Sequence, residues 1–213
     1  DCVKASKAHD SCYAIKKFPG HANDNFEKER RALLRFTGPE QRHDNLIELL
    51  LSYGRKQSQY LIFPWADGNL QDYWKRTHND PRSRQHVARL IRQCQGLADG
   101  LCQVHEYHYS AGVQTVGSGA SFTWSQNRGR HGDIKPQNIL YFADGRDQPE
   151  RLVIADFTLM RFHTATIGKT YASQVGFSKS HRPPEVHKGK GAKVSQKYDI
   201  WTLGCVYLEF VTW

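Results

Sequence analysis

The chain has 213 residues, 38% hydrophobic and 24% charged, which argues against disorder and suits a folded globular protein of one large domain or two small lobes. Its formal net charge of +9 suits an acidic or phosphate-bearing partner, yet the basic residues are scattered without a run of five, as on a solvated surface. Five cysteines without a CxxC pair argue against a disulfide framework or structural zinc, and no stretch reaches the roughly 18 apolar residues of a membrane span.

Residues 12–18 are short and β-prone, and the polar stretch 19–25 separates them from a helical pattern over 26–36. Residues 46–53 and 59–63 read as two strands joined by a polar turn over 54–58, so that 1–63 form a small sheet carrying one helix. Beyond Pro64 the pattern turns helical, over 69–77 and 87–105. In the second helix Leu90, Cys94, Leu97, Leu101 and Val104 recur at spacings of three and four and mark a buried face. Residues 106–130, with Gly112, Gly117, Gly119, Gly129 and several serines, read as a flexible insertion. Short strands are predicted at 139–141 and 152–155 around Asp144-Gly145, followed by a polar segment to Arg182. Residues 198–213 are apolar almost all round, the pattern of a helix surrounded by core.

The sharpest chemical signal is His131-Gly132-Asp133-Ile134-Lys135-Pro136-Gln137-Asn138, with Asp156-Phe157 beyond the predicted hairpin. Phosphoryl transfer asks a protein for a carboxylate that orients the attacking hydroxyl, for metal ligands and for cations on the phosphates. Asp133 is of the type to take the hydroxyl proton and Lys135 to neutralise the transferring phosphate. Asn138 and Asp156 offer magnesium hard oxygen ligands. Four such polar residues around two short strands have no good account as core. His131 reads as a structural, hydrogen-bonded histidine. Taken singly, Lys16 is an ordinary edge-strand lysine, Glu29 a solvated helix residue and Asp199 a helix N-cap, and only their order along the chain raises them further.

That spacing resembles the catalytic loop of protein kinases, HRDxKxxN, and Asp156-Phe157-Thr158 resembles their DFG motif. In the same order Ala14-Ile15-Lys16 looks like the VAIK strand, with Glu29 as the lysine's ion-pair partner, and His43-Asp44-Asn45-Leu46-Ile47 is similar to the HPNIV turn. Phe63-Pro64-Trp65-Ala66 sits at the hinge position, where adenine would bond Pro64 and Ala66 between Val3, Ala14 and Leu140. Arg182-Pro183-Pro184-Glu185 resembles the APE motif of the activation segment. Asp199-Ile200-Trp201-Thr202-Leu203-Gly204-Cys205 resembles the DxWSxGC helix beneath the catalytic loop.

The resemblance implies an α+β, two-lobed fold with a small antiparallel-sheet lobe and hinge over 1–66. A mostly helical lobe over 67–213 would carry the insertion 106–130. It also implies ATP and Mg2+ as cofactors, protein substrates and an intracellular, cytoplasmic or nuclear setting. Lys135 followed by Pro136, and Ser178 placed to touch both Asp133 and Lys135, fit the Ser/Thr class. His131, Phe157 and Asp199 fall at structural positions of the family.

Three departures stand against this pattern. The glycine-rich loop is expected before Asp1 and the later helices after Trp213, as though the domain were cut at both ends. Gly132 replaces the arginine that collects an activation-loop phosphate, and β-branched Thr158 replaces a glycine, which restricts switching of Asp156. His-Gly-Asp behind a long insertion is similar to kinase-related chains of filamentous fungi. An active kinase is the leading expectation, a nucleotide-binding scaffold without turnover its alternative and a basic nucleic-acid module a more distant rival.

Overall fold

A computed structural model describes residues 2–4, 12–76, 84–110, 114–115, 120–121, 124–143, 150–164, 170–171, 181–188, 191 and 193–213. Strands β1 (Cys2–Lys4) and β2 (Tyr13–Pro19) lead into helix α1 (Asn23–Leu34), which buries Phe26, Glu29 and Leu33 at helical spacing. β3 (Leu51–Arg55) and β4 (Ser58–Pro64) complete an antiparallel sheet in the order β1-β2-β4-β3. β2 and β4 pair from Tyr13 opposite Pro64 to Pro19 opposite Ser58, which aligns Lys16 with Leu61.

Two expectations fail here. The apolar run 46–53 is not one strand, because only Leu51 onward joins the sheet. Leu46, Ile47 and Leu49 are buried by a crossing segment instead, where the Ile47 N–H donates to Ile154 O at 2.9 Å and the Ile154 N–H to Asn45 O at 2.8 Å. Core burial had imitated strand alternation. The hairpin turn is also tighter than predicted, with Lys56 at φ 55° beside Gln57.

Beyond the sheet, β5 (Gly68–Asn69) precedes α2 (Leu70–Arg76) and the long α3 (Arg84–His105). In α3, Leu97, Leu101 and Val104 are fully buried, each such side chain contributing roughly 1.5–3 kcal/mol, while Leu90 and Cys94 pack at the margin. β6 (His108–Ser110), the short hairpin β7 (Gln114–Thr115) and β8 (Ala120–Ser121), and β9 (Trp124–Arg130) occupy the predicted insertion.

Its last seven residues are therefore not a loose loop: β9 lies between β6 and β12 (Arg161–Thr164), with Arg130 opposite Arg161. Gly129 is required there by close approach, since a Cβ would stand 2.1 Å from Val104 O. The reading failed at Gly129 because that glycine marks a backbone contact, not freedom; Gly112, Gly117 and Gly119 lie outside the described residues.

A hairpin of β10 (Ile139–Phe142) and β11 (Arg151–Ile154) carries β5 on its free edge. β13 (Thr170–Tyr171) pairs with β14 (Lys193–Val194), and α4 (Lys197–Thr212) closes the described chain. α4 buries Tyr198, Thr202, Leu203, Val206 and Phe210 but exposes Ile200, Trp201, Leu208 and Val211, so it is half-enclosed instead of surrounded by core. The fold is α+β, with a small antiparallel sheet and mainly helical structure after it. No helix among the described residues is long and apolar enough to cross a membrane.

Candidate active site

Strand β2 carries Lys16 toward α1, where its Nζ donates to Glu29 Oε1 and Oε2, both at 2.8 Å. Glu29 is 1% exposed, a burial tolerable for a carboxylate only with partners of this kind. Asp156 joins them from the turn after β11, its Oδ1 3.0 Å from Lys16 Nζ. Its backbone is left-handed, φ 64°, as the chain reverses from β11 into the turn Phe157–Leu159.

Burial works to lower the pKa of Lys16, but Glu29 and Asp156 outweigh it and hold the ammonium above its ordinary value. Burial raises Glu29 above the usual carboxylate range despite Lys16. The same burial presses on Asp156, where Lys16 and Thr158 prevail and the carboxylate lies below its ordinary value.

Thr158 was named in the sequence only as a departure, and its hydroxyl is the member of this cluster that sequence reasoning missed. Its Oγ1 lies 2.8 Å from Glu29 Oε2 and 3.1 Å from Lys16 Nζ, and it also contacts Asp156 Oδ1. A hydroxyl where the pattern has no side chain was the available signal.

Asp133, Lys135 and Asn138 lie on one loop, as their spacing required. Lys135 Nζ is 2.7 Å from Asp133 Oδ2, and Asn138 Nδ2 donates to the same Oδ2 at 2.8 Å and to Asp133 O at 3.0 Å. With its amide hydrogens so used, Asn138 has Oδ1 as its remaining acceptor. The loop is fastened from below by Asp199, fully buried, which accepts the His131 N–H at 2.7 Å and the Gly132 N–H at 2.8 Å and lies 2.9 Å from His105 Nε2. Gly132 takes φ +85°, where a side chain is strained and a Cβ would meet Leu159 O at 3.1 Å, so glycine relaxes the loop while removing a cation.

His131 accepts the Asp133 N–H at Nδ1 and so donates from Nε2 to Ala155 O, 3.1 Å away. Complete burial holds its pKa below the ordinary value, so it is neutral and structural. Its ring meets Phe157 edge-on at 5.2 Å, and Phe157 in turn meets Phe36 at 5.7 Å. Just before it, Arg130 is almost wholly buried, with its guanidinium 5.7 Å from the Tyr198 ring.

Between the sheet and this loop lies a cavity of about 410 Å³, lined by Ala14, Lys16, Glu29, Phe63, Pro64, Trp65, Ala66, Asn138, Leu140 and Asp156. Its size is that of a small-molecule site. Val3 belongs to β1 opposite Ile15, and nothing is described of its side chain. Pro184, exposed, and Glu185, half-buried, begin the turn Pro184–Lys188, and Ser178 lies outside the described residues.

Among the described residues no group of three or more His, Cys, Asp or Glu is placed to hold a metal. The oxygen donors of Asn138 and Asp156, which both line this cavity, nonetheless fit magnesium, which keeps few protein ligands and completes its shell with phosphate and water.

Comparison with known proteins follows this geometry. The family model described as protein kinase domain matches residues 1–213. The chain is 30% identical over 173 residues to CTD kinase subunit alpha of Schizosaccharomyces pombe, covering 80% of this chain and 24% of that protein. It is 27% identical over 208 residues to cyclin-dependent kinase-like 4 of Mus musculus, covering 97% and 51%. Homeodomain-interacting protein kinase 1 of Caenorhabditis elegans is 24% identical over 200 residues, 93% of this chain and 20% of that protein. The chain spans about half, or less, of the length of these relatives.

Proposed function

Because the chain belongs to the protein kinase domain family, we propose that it transfers the γ-phosphate of ATP to serine and threonine hydroxyls of protein substrates. The observation that supports this best is convergence on one cavity. The Lys16–Glu29 pair meets Asp156 there, and Asn138, which also lines the cavity, donates to Asp133 through a 2.8 Å hydrogen bond.

On this reading residues 1–66 are the smaller lobe with its hinge and 67–213 the larger. Adenine would lie against Ala14, Val3 and Leu140 and bond the Pro64 and Ala66 backbone, where proline serves because only its carbonyl is used. Lys16, aligned by Glu29, would hold the α and β phosphates. Asn138 and Asp156 would hold magnesium, which neutralises phosphate charge. Asp133 Oδ2 is engaged by Lys135 and Asn138, leaving Oδ1 to orient the substrate hydroxyl and take its proton. As the oxygen–phosphorus bond forms, the bond to the departing ADP breaks, and Lys135 offsets charge on the transferring group.

The Ser/Thr class is supported by Lys135 beside Asp133. A scaffold without turnover is the second reading, favoured by the Thr158 hydroxyl seated on Asp156 Oδ1. The test is magnesium-dependent transfer of labelled phosphate from ATP to mixed Ser/Thr peptides by the full-length protein, beside Asp133→Asn. Transfer falling by roughly 10²–10⁴-fold in the variant is expected. A folded, ATP-binding protein that transfers nothing would establish the scaffold.

A further inference from the structure

The cluster on the sheet side of the cavity holds a second donor besides Lys16, the Thr158 hydroxyl. The Lys16 ammonium, with three N–H donors, has both Glu29 oxygens, Asp156 Oδ1 and Thr158 Oγ1 within 3.1 Å. The hydroxyl adds a fourth hydrogen and donates it to Glu29 or to Asp156, one at a time, while accepting from the ammonium. Without it, the Glu29 and Asp156 carboxylates are joined by Lys16 alone. Their mutual repulsion is one of the influences that raise Glu29.

In the proposed transfer Lys16 would also engage phosphate oxygens, whereas Thr158 Oγ1 stands within reach of both Glu29 on α1 and Asp156 in the turn. The backbone agrees with this use. Thr158 lies in the turn Phe157–Leu159, and among the described residues the positive-φ residues other than glycine are Lys56 and Asp156, so no glycine-like freedom is needed at 158. A β-branched side chain then narrows the alternatives open to the turn.

We propose that Thr158 is a positioning residue that ties α1 to the Asp156 turn before nucleotide arrives, so that this side of the cavity stands assembled in the nucleotide-free protein. The inference rests on reading this cavity as the site of ATP-dependent transfer, and the experiment separates the two. Amide hydrogen exchange would be followed in the nucleotide-free, full-length protein and in Thr158→Val, Thr158→Ser and Thr158→Ala, beside kcat and KM for ATP in each.

Loss of a hydrogen bond to a charged group predicts exchange in α1 about tenfold faster in Thr158→Val, with α3 changed less than about twofold. Thr158→Ser, which keeps the hydroxyl, recovers most of that protection, and KM for ATP rises more in Val than kcat falls. If Val fails to fold, Ala decides by the same criteria. Unchanged exchange in α1, or equal acceleration in α1 and α3, overturns the inference whether or not the protein transfers phosphate. Absent transfer with α1 loosened by Val overturns the proposed function alone.

Discussion

On the sheet side of the cavity, Lys16, Glu29, Asp156 and Thr158 come from a strand, a helix and a turn up to 142 positions apart. They hold one another by side-chain contacts, with the Lys16 and Asp156 side chains 30% and 39% exposed. On the loop side, Asp133, Lys135 and Asn138 lie a few residues apart, and their backbone is fixed by Asp199, which no solvent reaches. Water partly screens the first arrangement and leaves it adjustable, which suits the proposed contact with phosphates. The second is preorganised, which suits the proposed role of Asp133 toward a hydroxyl.

The largest test of this contrast is Asp199→Ala. It leaves the His131 and Gly132 N–H groups, and His105, without their shared acceptor, and each buried polar group so stranded costs about 1–3 kcal/mol. A loss of about 3 kcal/mol or more in urea unfolding is expected. A loss under about 1 kcal/mol would mean the loop does not depend on its buried anchor.

Lys16→Met comes next. Breaking a buried pair costs about 3–5 kcal/mol, but the exposure of Lys16 discounts this to about 1–2 kcal/mol as Glu29 takes up a proton. The same urea titration reads it, and a cost equal to that of Asp199→Ala would erase the distinction between the two sides.

Smallest is the effect of pH. His131 is held neutral by burial, so the unfolded chain takes its proton near pH 6.5 while the folded chain does not. Stability therefore falls as pH drops below about 6.5, by up to about 1.4 kcal/mol per pH unit, until the folded-state pKa is reached. Asp156 acts in the same direction at lower pH. Its pKa is depressed below the ordinary 3.8, so its contribution is present above that value and is lost only as pH falls through the lower folded-state value. Urea midpoints between about pH 7.5 and 5 thus leave the Asp156 contribution constant, and a flat profile there would contradict a buried, neutral His131.

How much was legible follows the same division. The loop from His131 to Asn138 could be read because its residues are local, and local spacing survives folding unchanged. α1, α3 and the β10–β11 hairpin were legible for a similar reason, since one face of each meets the core and imprints a period on the sequence. The run 46–53 misled because burial by a crossing segment and burial in a sheet favour the same residues. At the end of 106–130 Gly129 misled because it serves a close approach to Val104, which composition does not distinguish from freedom.

By itself, then, the sequence determined the helices, the hairpins, the order of the charged motifs and the family they resemble. Those features depend on neighbours a few residues apart, or on residue types at set intervals. Tertiary structure alone decided that Glu29 is buried against Lys16, that Arg130 is enclosed beside Tyr198, and that the Thr158 hydroxyl completes the cluster of Lys16, Glu29 and Asp156. Each is a contact between groups far apart along the chain, whose charge and hydrogen-bond needs are met only when packing brings them within about 3 Å.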